Sequence, residues 1–213
     1  MWLISDTHFG HTNIIKYCNR PFQDADEMDD YIIARWRECI QPEDVVYHLG
    51  DLAFHVKGDS EIYQARRERL RTELTGKIRL IQGNHDKVSA AWLFKYLGIQ
   101  SIAQRKGIQL KSRHFVKPAV LLKVTPELPV LLSHRPLDEF DFGYYEQKFN
   151  LAIQLNVHGH IHNNAWTLRR EYAPDRAWFN VSVEVTEYKP IHISKIIKLT
   201  EDIYNDHSTK RTD

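Results

Sequence analysis

Three observations predict an α/β fold in which two sheets stack inside two helical layers. Strands and helices alternate through the first half of the chain, the second half is mostly strand, and no repeat or low-complexity linker divides its 213 residues. At roughly 150 residues per domain, that length predicts one domain spanning 1–213 with a full hydrophobic core.

The elements follow in order. Trp2-Leu3-Ile4-Ser5 reads as a short buried strand running into Asp6-Thr7-His8-Phe9-Gly10-His11. Residues 24–40 read as the best helix, with Asp24 and Glu27 at capping-box spacing, Met28, Ile32, Trp36 and Ile40 on one stripe, and Pro42 as its stop. Val45 to Leu49 is too short an apolar run for a helix and is bounded by Gly50-Asp51, which makes it a strand. A second helix is expected over 60–74, ending at Gly76, and a third strand over 77–82, followed by Gly83-Asn84-His85-Asp86. Trp92, Leu93, Tyr96 and Leu97 mark a helix over 89–97 that stops at Gly98.

Residues 108–111, 120–124 and 129–132 have hairpin spacing, with 125–129 as the turn between the last two. An aromatic, polar segment covers 138–150, and a strand over 153–157 leads into His158-Gly159-His160-Ile161-His162. One more strand is expected over 179–185 and a closing helix over 194–204, before a frayed polar end at 206–213.

Composition narrows the function classes. Lys plus Arg is 29 and Asp plus Glu is 28, a formal net charge of +1, which argues against a generally basic nucleic-acid binder or an acidic disordered tail. Cys18 and Cys39 cannot build a disulfide framework or a thiolate metal cage, so ordinary thiols in a reduced compartment are expected. No apolar run has the length of a membrane span and the first residues lack a signal-type apolar region, so the expected location is cytoplasmic, with no membrane partner. Histidine is the unusual residue: there are 12, and its imidazole is both the commonest metal ligand and a general acid/base near neutral pH.

Five strands end in metal-competent side chains: Asp6 and His8, then Asp51, then Asn84 and His85, then His134, then His160 and His162. In open α/β folds, loops at the carboxyl ends of the strands converge, so these clusters are expected to meet. Asp6 and His8 lie two residues apart, as do His160 and His162, a spacing that turns both side chains to one side of an extended segment. Carboxylate, imidazole and amide together suit Mn²⁺, Fe or Zn²⁺, and the many histidines argue against Ca²⁺. Seven candidate ligands exceed one tetrahedral ion and suit two ions with a bridging carboxylate, the arrangement that clamps attacking and leaving oxygens of a displacement.

Asp6-Thr7-His8, Gly50-Asp51, Gly83-Asn84-His85-Asp86, His134 and Gly159-His160-Ile161-His162 stand in the order of the five motifs of calcineurin-like metallophosphoesterases, which the chain thus resembles. Asp6 to His11, Asn19-Arg20-Pro21-Phe22, Tyr47 to Asp51 and Asn180 to Glu184 look like the small bacterial and phage branch of that superfamily. The resemblance implies a four-layer α/β/β/α sandwich and two divalent metal ions, Mn first, with Fe, Zn or Ni as alternatives. It implies Asp6, His8 and His162 on one metal, Asn84, His134 and His160 on the other, and Asp51 between them. His85 matches the family's proton donor to the leaving oxygen, and Asp86 is a candidate to orient it.

The implied activity is hydrolysis of a phosphomonoester or phosphodiester by a metal-activated hydroxide, on a phosphorylated small molecule or nucleotide, with nucleic acid as a further possible partner. Two rivals remain at this stage. One is a nuclease of the same superfamily, which is expected to add a DNA-binding cap; the other is a protein-binding scaffold, like the metallophosphoesterase-fold subunit of retromer, which can lose ligands without penalty.

The remaining motifs have bland readings beside the functional ones. His11 is a candidate for the phosphate or a loop histidine, and His158 is expected beneath the site. His48, His55, His114, His192 and His207 read as structural or solvated. Arg20 and Arg135 are placed by sequence proximity to touch a substrate phosphate, or else to form ion pairs. The run Arg66-Arg67-Glu68-Arg69-Leu70-Arg71 reads as a solvated helix face, since glutamates interleave it. The aromatic segment at 138–150 reads either as a base-stacking lip over the metals or as packing between layers.

Overall fold

The computed structural model describes residues 1–104, 106–110, 115–125, 128–164, 167–170 and 173–209. The first half of the chain runs β1 (Trp2–Ile4), α1 (Thr12–Tyr17), α2 (Ala25–Cys39), β2 (Val45–His48), α3 (Glu61–Glu73), β3 (Lys77–Ile81), α4 (Ala90–Leu97) and β4 (Gln100–Ala103). A small ribbon of β5 (Ile108–Gln109) and β6 (Phe115–Val116) follows. The second half runs β7 (Ala119–Thr125), β8 (Leu128–Ser133), α5 (Glu139–Phe149), β9 (Leu155–His158), β10 (Thr167–Arg170), β11 (Ala173–Asn180), β12 (Ile191–His192) and α6 (Ile193–Thr209).

Two five-stranded sheets result, with orders β12-β1-β2-β3-β4 and β10-β11-β9-β8-β7. In the first, β1 to β4 are parallel and only β12 runs antiparallel; in the second, β8, β9 and β11 are parallel and both edges are antiparallel. Residues alternate between layers as the pleat requires. Leu3, Tyr47, Leu49 and Ile81 face Val130, Leu132, Leu155, Val157 and Phe179 between the sheets. Ile4, Val46 and Leu80 point the other way, into a core with α2, α3 and α4. Leu131 and Trp178 face α5 through Phe142 and Tyr145 on the far side. The four layers are therefore α/β/β/α.

Local chemistry sets the helix ends. The Asp24 side chain accepts the Glu27 amide at 2.9 Å, and Glu27 reaches back to the Gln23 amide at 2.7 Å, one residue earlier than a strict capping box. Met28, Ile32 and Trp36 are fully buried, about 1.5–3 kcal/mol of burial each, and Ile40 is already extended ahead of Pro42.

Several expectations need correction. The strand foreseen over 179–185 is β11 at its start only: the Ser182 amide bonds to the Asn180 side chain at 3.0 Å, and Val183–Val185 form a 3-10 turn. The segment 138–150 contains helix α5, started by a capping box between Asp138 and Asp141. Phe142 and Tyr145 of α5 are buried against the sheet, so they pack between layers and form no lip over the site. Helix α1 and the short strands β4, β10 and β12 carried too little periodicity to be foreseen. The expected frayed end is helical through residue 209, and 210–213, like His114 and Lys111, lie outside the described residues. No helix among the described residues is long and apolar enough to cross a membrane.

Candidate metal centre

The parallel strands of both sheets end at the same rim, where the expected ligands meet. An isolated parallel bridge between Ser5 and Ser182 joins the two sheets there. Beyond β1, Asp6 and His8 take left-handed backbone conformations (φ 58° and 52°), as do Asp51 (54°), His160 (71°) and His162 (50°). Such geometry costs of order 1–3 kcal/mol per residue and persists only where neighbours enforce it. Here the Asp6 amide donates to Gly50 O, and the His8 amide to Asp51 O, each at 3.0 Å.

Two donor clusters form: Asp6 with His8 and His162, and Asp51 with His134 and His160. His8 Nε2 lies 4.0 Å from Asp6 Oδ1 and 3.6 Å from Asp51 Oδ2, and His134 Nε2 is also 3.6 Å from Asp51 Oδ2. Asp51 thus faces both clusters. His162 Nε2 is 3.9 Å from Asp6 Oδ1, and Asn84 Oδ1 is 2.9 Å from His134 Nε2. All seven expected ligands are therefore brought to one place.

Partners outside this circle fix the imidazole rings. His134 Nδ1–H donates to Leu49 O at 2.9 Å, and His162 Nδ1–H donates to Glu184 Oε1 at 2.8 Å, which leaves both Nε2 lone pairs facing the centre. Asp6 Oδ2 accepts the Ser182 hydroxyl at 2.9 Å and the His160 amide at 2.8 Å, and Asp51 Oδ1 accepts the His85 amide at 2.8 Å. Gly83 allows this crowding, because a Cβ there would sit on Asp51 Oδ1 and within 2.6 Å of the Asp51 amide nitrogen.

The interior of the cluster is electrostatically incomplete without a cation. Asp6 Oδ1 and His8 Nε2 are buried and have no hydrogen-bond partner. With its proton on Nδ1, His134 turns a bare Nε2 toward Asn84 Oδ1 at 2.9 Å and Asp51 Oδ2 at 3.6 Å, with the His160 Nδ1 atom 3.2 Å away on the same side. Donor atoms 3.6–4.0 Å apart are too far for hydrogen bonds but within reach of two bonds of about 2.0–2.2 Å to a shared ion.

The titration behaviour agrees. Burial pushes the Asp6 carboxyl up, but His134, His162 and His8 outweigh it and hold it well below the usual range. Burial raises Asp51 to about 7 against the opposing pull of His134, and burial lowers His160 to about 4, leaving it neutral and able to coordinate. For His162, contacts with Cys18 and Glu184 overcome burial and raise the ring to about 10, so positive charge is favoured between Nε2 and Asp6. A metal ion supplies that charge as well as a proton does.

The other expected residues are placed as follows. His85 is 40% exposed, with Nε2 4.0 Å from Asp51 Oδ2, and lines a cleft of about 370 Å³ together with His8, His11, Tyr17, His160 and His162. His11 stacks on Phe54 with ring centroids 3.7 Å apart, and burial lowers it to about 4. Arg20 is not at the substrate: its buried guanidinium donates to Glu184 and to the Asp6 and Thr7 carbonyls, beneath the cluster. Asp86 does not orient the His85 ring, since its carboxylate accepts the Asp51, Leu52 and Gly83 amides.

His158 is buried beneath the rim. His48 is fully buried against Thr7, His55 bonds to Tyr63, and His192 sits at the chain start beside Trp2. The arginine run is committed: Arg66 faces Asp29, Arg69 pairs with Asp30 and Glu73, Arg71 pairs with Glu68, and Arg67 bonds to the Val56 and Gly58 carbonyls. Ser182 and Glu184 lie in the Asn180–Glu184 stretch that the resemblance picked out but had no role assigned to them, and Phe54 was passed over altogether; all three touch the cluster or the residues around it. Phe54 contacts His8, His11 and His85 together, and only its closeness to Gly50-Asp51 in sequence hinted at it.

Comparison with known proteins points the same way. The chain is 34% identical over 202 residues to the uncharacterized protein MJ1445 of Methanocaldococcus jannaschii, covering 94% of this chain and 91% of that one. Its structure is similar to that of the protein of unknown function AQ665 from Aquifex aeolicus, with a TM-score of 0.63 and 28% identity over 93% of this chain and 98% of that one. The sequence model of the calcineurin-like phosphoesterases matches residues 1–164, the span that contains every expected ligand. This chain therefore belongs to the calcineurin-like phosphoesterase family.

Proposed function

We propose that this protein is a phosphoric ester hydrolase that works with two divalent metal ions, Mn²⁺ foremost, on a phosphomonoester or phosphodiester. The observation that carries the reading is the cluster of carboxylates and imidazoles around buried Asp6 Oδ1 and His8 Nε2, two atoms without a hydrogen-bond partner, held at strained backbone positions. Asp6, His8 and His162 would hold one ion, Asn84, His134 and His160 the other, and Asp51 would bridge them. When bound, the ions would supply Lewis-acid polarisation of the phosphoryl group and would acidify water.

The chain's own residues do the rest. Leu49 O and Glu184 lock the His134 and His162 tautomers, and the Asp86 carboxylate ties the Asp51 and Gly83 amides together. His85 projects into the cleft with its backbone fixed on Asp51 and its ring against Phe54, a position suited to protonating a departing alkoxide. Neutral His11, at the cleft wall, is suited to a hydrogen bond with a phosphoryl oxygen rather than a charge pair. A full ligand set favours an enzyme over a scaffold, and the paired arginine run offers no free track for a nucleic-acid backbone.

The test combines elemental analysis of bound metal with hydrolysis of p-nitrophenyl phosphate and bis-p-nitrophenyl phosphate under added Mn²⁺. Metal binding and turnover are expected, and absence of both would overturn the enzyme reading in favour of the scaffold. Asp51→Asn should reduce turnover by at least about 100-fold. His85→Gln should retain metal and slow phenyl phosphate more than p-nitrophenyl phosphate; equal slowing would remove its acid role.

A further inference from the structure

A second cavity, about 420 Å³, opens beside the centre and shares Asn84 and His134 with it. Its remaining walls include Lys106, Phe115, Lys117 and Arg135. The volume falls in the range of small-molecule sites, roughly 300–1,000 Å³. Whatever is attached to a phosphoryl group over Asn84 and His134 has this cavity as its neighbour.

The cavity carries positive charge that is only partly answered by the described residues. Among them, no Asp or Glu lines it. Lys117 is neutralised from behind, with its Nζ 2.6 Å from both Asp138 and Asp141. Lys106 and exposed Arg135, by contrast, have no carboxylate partner among the described residues, whereas Arg20 and Arg66 are engaged in ion pairs. Two unpaired cations beside a centre built to hold further positive charge raise the energy of the empty cavity and favour an anion between them. The scissile phosphoryl group does not supply it, since the centre itself answers that charge. A guanidinium is, moreover, the side chain best matched to a phosphoryl group.

The cavity also has a flat apolar wall. Phe115 is 53% exposed, yet one side of its ring is held in place: a Cβ on Gly107 would come within 2.6 Å of it. Pro118 extends the wall. An exposed, backed aromatic face beside cations is the arrangement that stacks a nucleobase while phosphates pair with Lys and Arg.

We propose that this cavity binds the leaving portion of the substrate, and that the substrate is a nucleotide carrying a second phosphoryl group besides the scissile one. Its base lies on Phe115 and its second phosphoryl group between Lys106 and Arg135. This rests on the phosphoesterase reading only for the position of the scissile group; the cavity argues the rest.

The test is calorimetric titration of the purified protein with adenosine 3′,5′-bisphosphate, adenosine 5′-monophosphate and fructose 1,6-bisphosphate. The nucleoside bisphosphate is expected to bind at least about tenfold more tightly than either of the others. Lys106→Gln combined with Arg135→Gln should erase the preference over the monophosphate, and Phe115→Ala the preference over the sugar bisphosphate. Both changes sit at exposed positions, and unchanged melting curves would confirm intact folds. Equal affinity for the two adenosine nucleotides, or for the two bisphosphates, in the wild type would overturn the proposal. Hydrolysis of p-nitrophenyl phosphate scores the enzyme reading separately: selective binding without turnover keeps the cavity and removes the reading, and turnover without selectivity does the reverse.

Discussion

Glu184→Gln isolates the support beneath the centre. The Glu184 carboxylate accepts His162 Nδ1–H at 2.8 Å and two Arg20 donors at 3.0 and 2.7 Å, and the Arg20 and Glu184 side chains are 0% and 4% exposed. The amide keeps the shape and one acceptor oxygen but removes the charge opposite a buried guanidinium. Breaking a buried pair this way costs about 3–5 kcal/mol. The lower end applies here, because Arg20 retains the Asp6 and Thr7 carbonyls at 2.7 and 3.0 Å. For a domain of this size, about 3 kcal/mol lowers Tm by about 6–12 °C. Independently, a weaker acceptor for Nδ1–H makes His162 a poorer donor and loosens its orientation, worth about 10–100-fold in metal affinity. Melting of the metal-free protein reads the first effect, and Mn²⁺ titration against a competing chelator reads the second. Lost stability with unchanged metal affinity would reduce Glu184 to a partner of Arg20, and no loss of either would refute the account of the pair altogether.

Two buried groups outside the proposed ligand set should give the stability opposite pH slopes. His48 accepts the Gly50 amide at Nδ1 and lies 3.0 Å from Thr7 Oγ1; burial lowers it from 6.5 to about 3. Its contribution is therefore complete above pH 6.5 and is lost as pH falls toward 3, by up to about 5 kcal/mol. Asp29 is raised by burial from 3.8 to about 7, so its contribution is complete below 3.8 and is lost as pH rises through 7. In urea unfolding between pH 4 and 6.5, His48→Gln should make stability fall more with rising pH than in the wild type and Asp29→Asn should make it rise more; unchanged slopes would contradict both assignments. Gly83→Ala should cost at least about 1–3 kcal/mol and displace Asp51, because the added methyl meets the Asp51 carboxylate and amide. Wild-type melting and metal content in that variant would show that the backbone yields there without consequence.

The clustering of these side chains was legible because each carries metal-binding chemistry of its own and sits just past an apolar strand. The order Asp6, Asp51, Asn84, His134, His160 needs only that parallel strands end at one rim, which the alternation of strands and helices already implied. Arg20 was misplaced because nearness to a motif in sequence says nothing of side-chain direction. Asn19, at φ 49°, reverses the chain after α1, and the guanidinium goes under the centre rather than over it. Helix α5 had its start signal in Asp138 and Asp141, but Gly143 and a run of aromatics masked the helical period, and its burial depends on Trp178.

Support residues were the least legible, for a physical reason. Glu184 is 22 residues from His162 and 164 from Arg20, and a carboxylate in the loop after a strand has no local feature that distinguishes it from a solvated one. Its meaning arises only when the two sheets close and three segments converge on it. The same holds for Lys106, which nothing in the sequence marked, and for Arg135, whose choice between a phosphate and an ion pair the sequence left open: a cation without a carboxylate partner among the described residues is defined by what folding does not bring to it. A sequence can name atoms able to bind a metal or a phosphate, whereas which charges remain unanswered, and so what the site still needs from a ligand, is a property of the assembled fold.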